Sequence, residues 1–187
     1  MDNRISSNYK GQRVQHEIAK ALRQEKAVQI RHFLTDETFT KLCEALSKVK
    51  WKRAYLPALH SYHEASVPSF WKAMLQDEKV KRFFSEICGR MPKQWKLLKF
   101  EEGDYTLLKD RHETYEGVEF IFECTLAWKN IQAGYTSYTV NDKELFRILP
   151  ATNLLTCVER SREIKSFVKY IPHLDEKQER VFFVGKA

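Results

Sequence analysis

The C-terminal half of the chain carries short apolar runs in the pattern typical of β-strands. Between residues 95 and 184, about eight runs rich in β-branched and aromatic residues are separated by turn-forming residues. This spacing favours a sandwich or barrel. The runs cover residues 95–100, 105–109, 118–128, 135–140, 145–149, 154–158, 164–171 and 180–184. We therefore predict a jelly roll with an open end where a ligand can enter.

The N-terminal half shows the three- and four-residue periodicity of amphipathic helices. Apolar residues at these steps predict a helix between residues 9 and 26. A strand is predicted over residues 27–34, and Thr35 then provides N-cap chemistry for a second helix. Two shorter helices are predicted after Pro68, and the second is expected to end at Gly89, a residue suited to the left-handed position after a helix.

Together these elements predict an α+β, mainly β fold. We expect a single domain over residues 1–187, because this length supports one substantial core and is too short for two. Within it, residues 1–92 are mostly helical and residues 93–187 form a double-stranded β-helix, which is another name for the jelly roll. The helices are expected to pack on one face of the sheets.

The segment after Pro57 contains two histidines. Residues 58–66 show no helical pattern and are predicted to be a loop. His60 and His63 have a spacing that metal ligands use, but they lack the His-Glu-x-x-His order of zinc proteases. We interpret them as loop histidines without a special role.

The composition is that of an ordinary globular protein, with 43% hydrophobic and 30% charged residues. No apolar run approaches the length of a membrane span, and the first residues lack the apolar core of a signal peptide. We therefore expect a cytoplasmic protein with no membrane partner. Four cysteines lie singly along the chain, without the Cys-x-x-Cys spacing of a zinc site, and are expected to be buried thiols.

The net charge of +7 leaves open a basic jelly-roll module that binds nucleic acid or an acidic protein. The residues that would serve it are Lys20, Arg23, Lys26, Lys50, Lys52 and Arg53, with Trp51 available for stacking. No run of basic residues exceeds two, however. Solvated faces are the simpler interpretation, and nucleic acid is not favoured as a partner.

The segment 103–113 is the strongest candidate for chemistry. Its apolar alternation stops at Asp110, and His112 follows two residues later, so on an extended strand both side chains leave the same face. A carboxylate and an imidazole at the mouth of a barrel could supply two ligands to a divalent transition metal, with the third from a distant strand. The alternative is a loop carboxylate and imidazole that pair with Lys109 or Arg111.

The order of several motifs resembles the iron(II)- and 2-oxoglutarate-dependent dioxygenases, in particular their prolyl hydroxylase branch. The similar stretches are Phe-Glu-Glu-Gly-Asp-Tyr at 100–105, a long strand closing on Trp128, Leu-Pro-Ala-Thr-Asn-Leu-Leu at 149–155, Ser-Phe-Val at 166–168, and Arg180. The likeness covers residues 95–187. It implies a double-stranded β-helix that holds iron through a His-x-Asp pair and a distal histidine on a later strand.

Carried over to this sequence, the His-x-Asp positions fall on Asp110 and His112 in reversed order. The distal histidine position falls on Ser166 or its neighbour Lys165, and neither is a normal iron ligand. Arg180 matches the arginine that binds the far carboxylate of 2-oxoglutarate in the family. Tyr105 occupies a position from which its phenol could reach the barrel mouth.

These assignments predict an oxygenase-like protein with a degenerate or catalytically weak site that still binds a small carboxylate or a peptide. The main alternative is an active hydroxylase that uses Asp110, His112 and an unidentified third ligand. Fe(II) and 2-oxoglutarate are expected as cofactor and cosubstrate only if the protein is active.

Overall fold

The computed structural model describes residues 4–107, 115–129, 132–173 and 178–187. After a single 3-10 turn at Ser7–Tyr9, the helices are α1 (Gln12–Glu25), α2 (Asp36–Leu46), α3 (Ser69–Leu75) and α4 (Glu78–Cys88). The strands are β1 (Ala27–Arg31), β2 (Lys52–Leu56), β3 (His60–Ala65), β4 (Lys93–Phe100), β5 (Tyr105–Thr106), β6 (Gly117–Cys124), β7 (Thr136–Val140), β8 (Lys143–Ile148), β9 (Thr152–Arg160), β10 (Lys165–Val168) and β11 (Arg180–Lys186).

The strands form two antiparallel sheets. The large sheet has the order β1-β9-β6-β11-β4-β3-β2, with β5 paired to β3, and the small sheet has the order β10-β7-β8. Neighbours in the large sheet are mostly distant in sequence, because the chain passes repeatedly between the two sheets. This is the winding of a jelly roll. Each of the eight runs predicted from the sequence contributes a strand, β4 to β11.

The predicted helices are confirmed, and local capping chemistry explains their ends. Thr35 accepts a hydrogen bond from the Thr38 amide at the start of α2, and Asp77 accepts from the Lys79 amide at the start of α4. Gly89 ends α4 with φ at 76°, a conformation that glycine adopts without steric cost. In the described ranges, no helix has both the length and the apolar character to span a membrane.

The predicted loop at residues 58–66 is wrong, because His60–Ala65 forms β3 and pairs with β2 and β4. The error has a physical cause. The sequence His-Ser-Tyr-His-Glu-Ala places polar side chains on both faces of the strand. It therefore lacks the alternation of apolar and polar residues that marks a half-buried strand. Pairing with neighbouring strands, which is non-local, decides its conformation.

Two apolar clusters hold the fold together. In the first, the helices cover the outer face of the large sheet, where the Trp71 ring stacks on Phe183 with centroids 4.1 Å apart. The second fills the space between the two sheets and includes Ile121 and Phe182. The expectation of buried thiols holds for Cys124 and Cys157, whereas Cys43 and Cys88 are half-buried.

Candidate functional site at the barrel interior

The inner face of the large sheet carries charged residues among apolar ones. Because side chains alternate along a strand, Glu119, Ile121 and Glu123 of β6 share the inner face, while Phe120 and Phe122 pack under the helices. The two glutamates are four positions apart on an extended strand, or about 13 Å between their Cα atoms. The two carboxylates therefore lie in separate parts of the barrel interior.

Glu119 forms a buried ion pair with Arg160 of β9. Arg160 Nη1 lies 2.6 Å from Glu119 Oε2, and the Tyr138 hydroxyl donates to the same oxygen at 3.0 Å. Arg160 Nη1 also donates to Ser166 Oγ at 3.2 Å, and Nη2 donates to the Ile164 carbonyl at 2.7 Å. The side chain of Arg160 is 5% exposed and that of Glu119 is 1% exposed, so salt screens their attraction only weakly.

Glu123 forms a second buried ion pair, with Arg180 of β11. Arg180 Nε donates to Glu123 Oε1 at 3.1 Å, and Nη2 donates to the same oxygen. Nη1 donates to the Gly134 carbonyl and to Thr136 Oγ1, both at 2.8 Å. The guanidinium carbon lies 4.3 Å from the centroid of the Phe182 ring. Complete burial raises the pKa of the Glu123 carboxyl group, and the Arg180 charge opposes that shift.

A cavity of about 240 Å³ lies beside the first ion pair. Its polar lining includes His60, Lys96, Thr106, Glu119, Arg160 and Lys186. Within the described part of the chain, Arg160 Nε is buried and has no hydrogen-bond partner. The cavity thus combines three cationic side chains, one carboxylate and one unsatisfied N–H donor.

The metal ligands predicted from the sequence, Asp110 and His112, lie outside the described residues. The described chain stops at Leu107 and resumes at Tyr115. Tyr115 lines the cavity, and so does Thr106 on the other side of the undescribed segment.

The other predicted site residues are placed as follows. Ser166 of β10 is 1% exposed and accepts the hydrogen bond from Arg160. Arg180 pairs with Glu123 and does not line the 240 Å³ cavity. Tyr105 lies on β5 with its ring centroid 6.3 Å from that of Tyr170. Ser166 therefore contacts Arg160, which lines the cavity, but does not line the cavity itself, and Arg180 is enclosed elsewhere in the barrel.

The sequence analysis missed Glu119, Glu123 and Arg160, and it assigned no special role to His60, which lines the cavity. A signal for the glutamates was present in Gly-Val-Glu-Phe-Ile-Phe-Glu-Cys at 117–124, where two acidic residues share one face of an otherwise apolar strand. Charges at such positions are almost never buried without a partner. The pattern therefore indicates buried ion pairs, although it does not name the cations.

No family model matches the sequence. A curated relative, prolyl 3-hydroxylase OGFOD1 from Mus musculus, is 32% identical over 111 residues. The match covers 57% of this chain and 19% of the relative. The chain thus spans about a fifth of the length of that protein.

Solved oxygenase structures share the fold. A prolyl hydroxylase from Trichoplax adhaerens, in complex with a peptide fragment of the hypoxia inducible factor oxygen degradation domain, has a TM-score of 0.68 at 13% identity and covers 94% of this chain and 90% of its own. A 2OG-Fe(II) oxygenase family protein from Burkholderia pseudomallei has a TM-score of 0.68 at 14% identity, with coverages of 99% and 95%. A Pseudomonas putida prolyl-4-hydroxylase scores 0.63 at 11% identity, with coverages of 92% and 98%.

The resemblance to the prolyl hydroxylase branch of the 2-oxoglutarate oxygenases is confirmed. So is the double-stranded β-helix, because the solved oxygenases superpose on nearly the whole chain.

The described residues do not fit the third iron ligand of an oxygenase. Ser166, the candidate for the distal histidine position, offers only a hydroxyl group, and that group already accepts from Arg160 at 3.2 Å. A guanidinium so close would repel a metal cation in this weakly screened interior. Across residues 4–107, 115–129, 132–173 and 178–187, no three His, Cys, Asp or Glu side chains are grouped so that they could hold a metal.

The described residues also do not fit free 2-oxoglutarate at Arg180. In the oxygenase family this arginine is expected to bind the far carboxylate of the oxoacid bidentately. Here Arg180 instead binds the carboxylate of Glu123, and both side chains are fully buried. An oxoacid would have to displace Glu123 from its partner.

The six basic residues considered for nucleic-acid binding form two separate groups. Lys20, Arg23 and Lys26 lie on or next to α1, which packs against β1 and β9. Lys50, Lys52 and Arg53 lie on or just before β2. Strands β1 and β2 are at opposite ends of the large sheet, which puts six strand spacings, or about 29 Å, between them. These residues therefore do not form one continuous basic surface.

Proposed function

We propose that this chain is an oxygenase-like binding protein that takes a small carboxylate, or an acidic group of a peptide, into the cavity beside Arg160 without oxidising it. The proposal depends on the environment of Arg160. Its side chain lines the cavity, stands next to Ser166, and keeps a buried Nε–H donor without a partner in the described ranges. An unsatisfied buried donor costs free energy, so a ligand that supplies an acceptor is favoured.

The charges of the cavity support an anionic ligand. Lys96, Lys186 and Arg160 place three cations around a volume of about 240 Å³, against the single carboxylate of Glu119. That volume suits a ligand of roughly ten heavy atoms rather than a whole peptide. A peptide would therefore insert one acidic side chain or its C-terminal carboxylate.

The names of similar proteins support a peptide or protein as the larger ligand. The Mus musculus relative is a prolyl 3-hydroxylase, and the Trichoplax adhaerens structure contains a peptide fragment. Oxidative turnover is not proposed, because the reaction of the oxygenase family requires a third protein ligand on the metal. Ser166, the residue expected at that position, has Arg160 Nη1 3.2 Å from its hydroxyl oxygen.

The first test compares binding with turnover in the unmodified protein. We expect calorimetry to detect succinate binding at low salt. Titration with iron(II) is expected to give no stoichiometric metal complex, and iron(II) together with 2-oxoglutarate is expected to give no sustained succinate release. Stoichiometric iron binding with steady turnover would overturn the proposal.

The second test locates the ligand. The double variant Arg160→Met/Glu119→Gln removes the cation without leaving a buried carboxylate unpaired, and it should weaken succinate binding roughly tenfold or more. Arg162→Met is the matched control, because Arg162 lies two residues away and is 77% exposed in a surface pair with Glu116. Equal affinities in the two variants would place the ligand elsewhere.

A second candidate function is an active hydroxylase that uses Asp110 and His112 with an unidentified third ligand. The observation that favours it is that Thr106 and Tyr115, on either side of that segment, both line the cavity. The discriminating measurement is the metal content of the purified protein and of His112→Ala. Metal that is present in the parent protein and lost in the variant supports this candidate, and equal occupancy in both rejects it.

A further inference from the structure

The Glu123–Arg180 pair has the composition of a carboxylate-binding site. Arg180 directs Nε and Nη2 at one carboxylate, and its Nη1 is held by the Gly134 carbonyl and Thr136 Oγ1. Thr125 Oγ1 donates to the other carboxylate oxygen of Glu123 at 3.1 Å. A guanidinium fork and a hydroxyl on one carboxylate form the donor set that proteins use to recognise carboxylate ligands.

The surroundings fix this donor set in place. Gly134 has φ at 65°, and a Cβ atom added there would lie 2.5 Å from the Trp128 ring. Only glycine fits this close approach, and its carbonyl orients Arg180. The Phe182 ring covers the guanidinium at 4.3 Å. The arginine is therefore pre-organised for a carboxylate, whichever molecule supplies it.

We propose that Glu123 fills a carboxylate-binding site inside the barrel from within the chain, and that removal of its side chain opens the site to a free carboxylate. This inference goes beyond the proposed function, because it concerns the arginine at the position expected to bind an oxoacid and not the cavity beside Arg160. A tethered carboxylate pays no translational entropy on binding, so it outcompetes a free one. Displaced Glu123 would also be a buried charge without a partner, which is costly.

The shape of the side chain defines the ligand that should replace it. Glu123→Ala removes a group with the heavy atoms of acetate and leaves Arg180, Thr125 and the aromatic wall unchanged. Acetate should therefore bind at Arg180 in the variant and not in the parent protein. Acetamide has the same shape without the charge, so it serves as the control ligand.

Thermal unfolding measures this binding. At ten times its dissociation constant, acetate should raise the folding equilibrium constant of Glu123→Ala about 11-fold and its Tm by roughly 3–6 °C. Acetamide should have little effect. Two control variants should gain no more stability from acetate than the parent protein does: Glu123→Gln, in which the space stays filled, and Glu123→Ala/Arg180→Met, in which the cation is absent. If Glu123→Ala does not fold alone, its refolding yield in acetate and in acetamide replaces the Tm shift.

Two results would overturn the inference. One is equal stabilisation by acetate of Glu123→Ala and Glu123→Ala/Arg180→Met, which would make the effect a general one of salt. The other is saturable 2-oxoglutarate binding by the parent protein that Arg180→Met abolishes. Failure of the proposed function would be seen in different measurements: oxidative turnover by the parent protein, and the succinate affinity of the Arg160→Met/Glu119→Gln variant.

Discussion

Asn153 should be the most sensitive polar residue that joins the N-terminal segment to the barrel. It lies in β9 opposite a register shift, where Glu123 pairs with Leu154 and Cys124 pairs with Thr152. Asn153 is therefore the extra residue of a β-bulge. It has φ at 51°, a left-handed conformation that asparagine tolerates better than most residues.

The bulge turns the Asn153 amide onto the backbone of Leu34. Its Oδ1 accepts from the Leu34 amide and its Nδ2 donates to the Leu34 carbonyl, both at 2.9 Å. Asn153 is 2% exposed and Leu34 is 1% exposed, so water cannot replace these bonds without a rearrangement. The side-chain amide of Asn153 thus pairs with the backbone of the segment leading into α2, as a neighbouring strand would.

The contacts of Asn153 determine how much free energy of unfolding Asn153→Ala should lose. Two buried backbone groups of Leu34 lose their partners at about 1–3 kcal/mol each, and alanine in the left-handed conformation costs about 1–2 kcal/mol more. We expect a loss of roughly 3–8 kcal/mol in the free energy of unfolding. For a chain of 187 residues, each kcal/mol lowers Tm by about 2–4 °C.

Urea unfolding followed by tryptophan fluorescence and far-UV circular dichroism measures this loss. Asn153→Gly is the matched control, because it deletes the same hydrogen bonds while accepting the positive φ. It should be more stable than Asn153→Ala by about 1 kcal/mol. A loss below about 1 kcal/mol in Asn153→Ala would refute the role assigned to the amide, and equal losses in both variants would refute the role of the backbone conformation.

Three further changes test other parts of the fold. Trp71→Ala removes the ring stacked on Phe183 at 4.1 Å and should cost about 3–5 kcal/mol in urea unfolding. Asp77→Ala removes the N-cap of α4 and should cost about 1 kcal/mol by the same measurement. Burial raises the pKa of the Cys124 and Cys157 thiols; their thiolate fraction at pH 8 is therefore low, and alkylation followed by mass spectrometry should label them slowly in the folded protein and rapidly in denaturant.

The sequence predicts the elements of this fold well, because the information that defines them is local. Strands β6 and β9 carry their apolar pattern within a few residues, and the caps at Thr35 and Gly89 lie next to the helix ends that they define. Strand β3 was missed because pairing with its neighbours, rather than its own polar sequence, determines its conformation.

The pairing of charges inside the barrel could not be predicted in the same way. Glu119 binds a cation 41 residues away in sequence, and Glu123 binds one 57 residues away. Which cation each glutamate meets depends on β6 lying between β9 and β11 in the large sheet. The resemblance to oxygenases identified Arg180 as a carboxylate-binding residue, but it gave no indication that a side chain of this chain would be the carboxylate.

The buried charges are not explained by stability alone. Apolar side chains of similar volume in place of Glu119, Glu123, Arg160 and Arg180 would often leave a protein equally or more stable, because desolvation offsets most of the attraction within a buried ion pair. The two pairs are also unlike each other. Glu123–Arg180 has most of its bonds satisfied within the fold, whereas Arg160 keeps an unsatisfied donor beside a cavity. If the first pair is a closed carboxylate site and the second an open one, the barrel binds acidic ligands only in the cavity beside Arg160. The Arg160 and Glu123 variants should then change carboxylate binding in opposite directions.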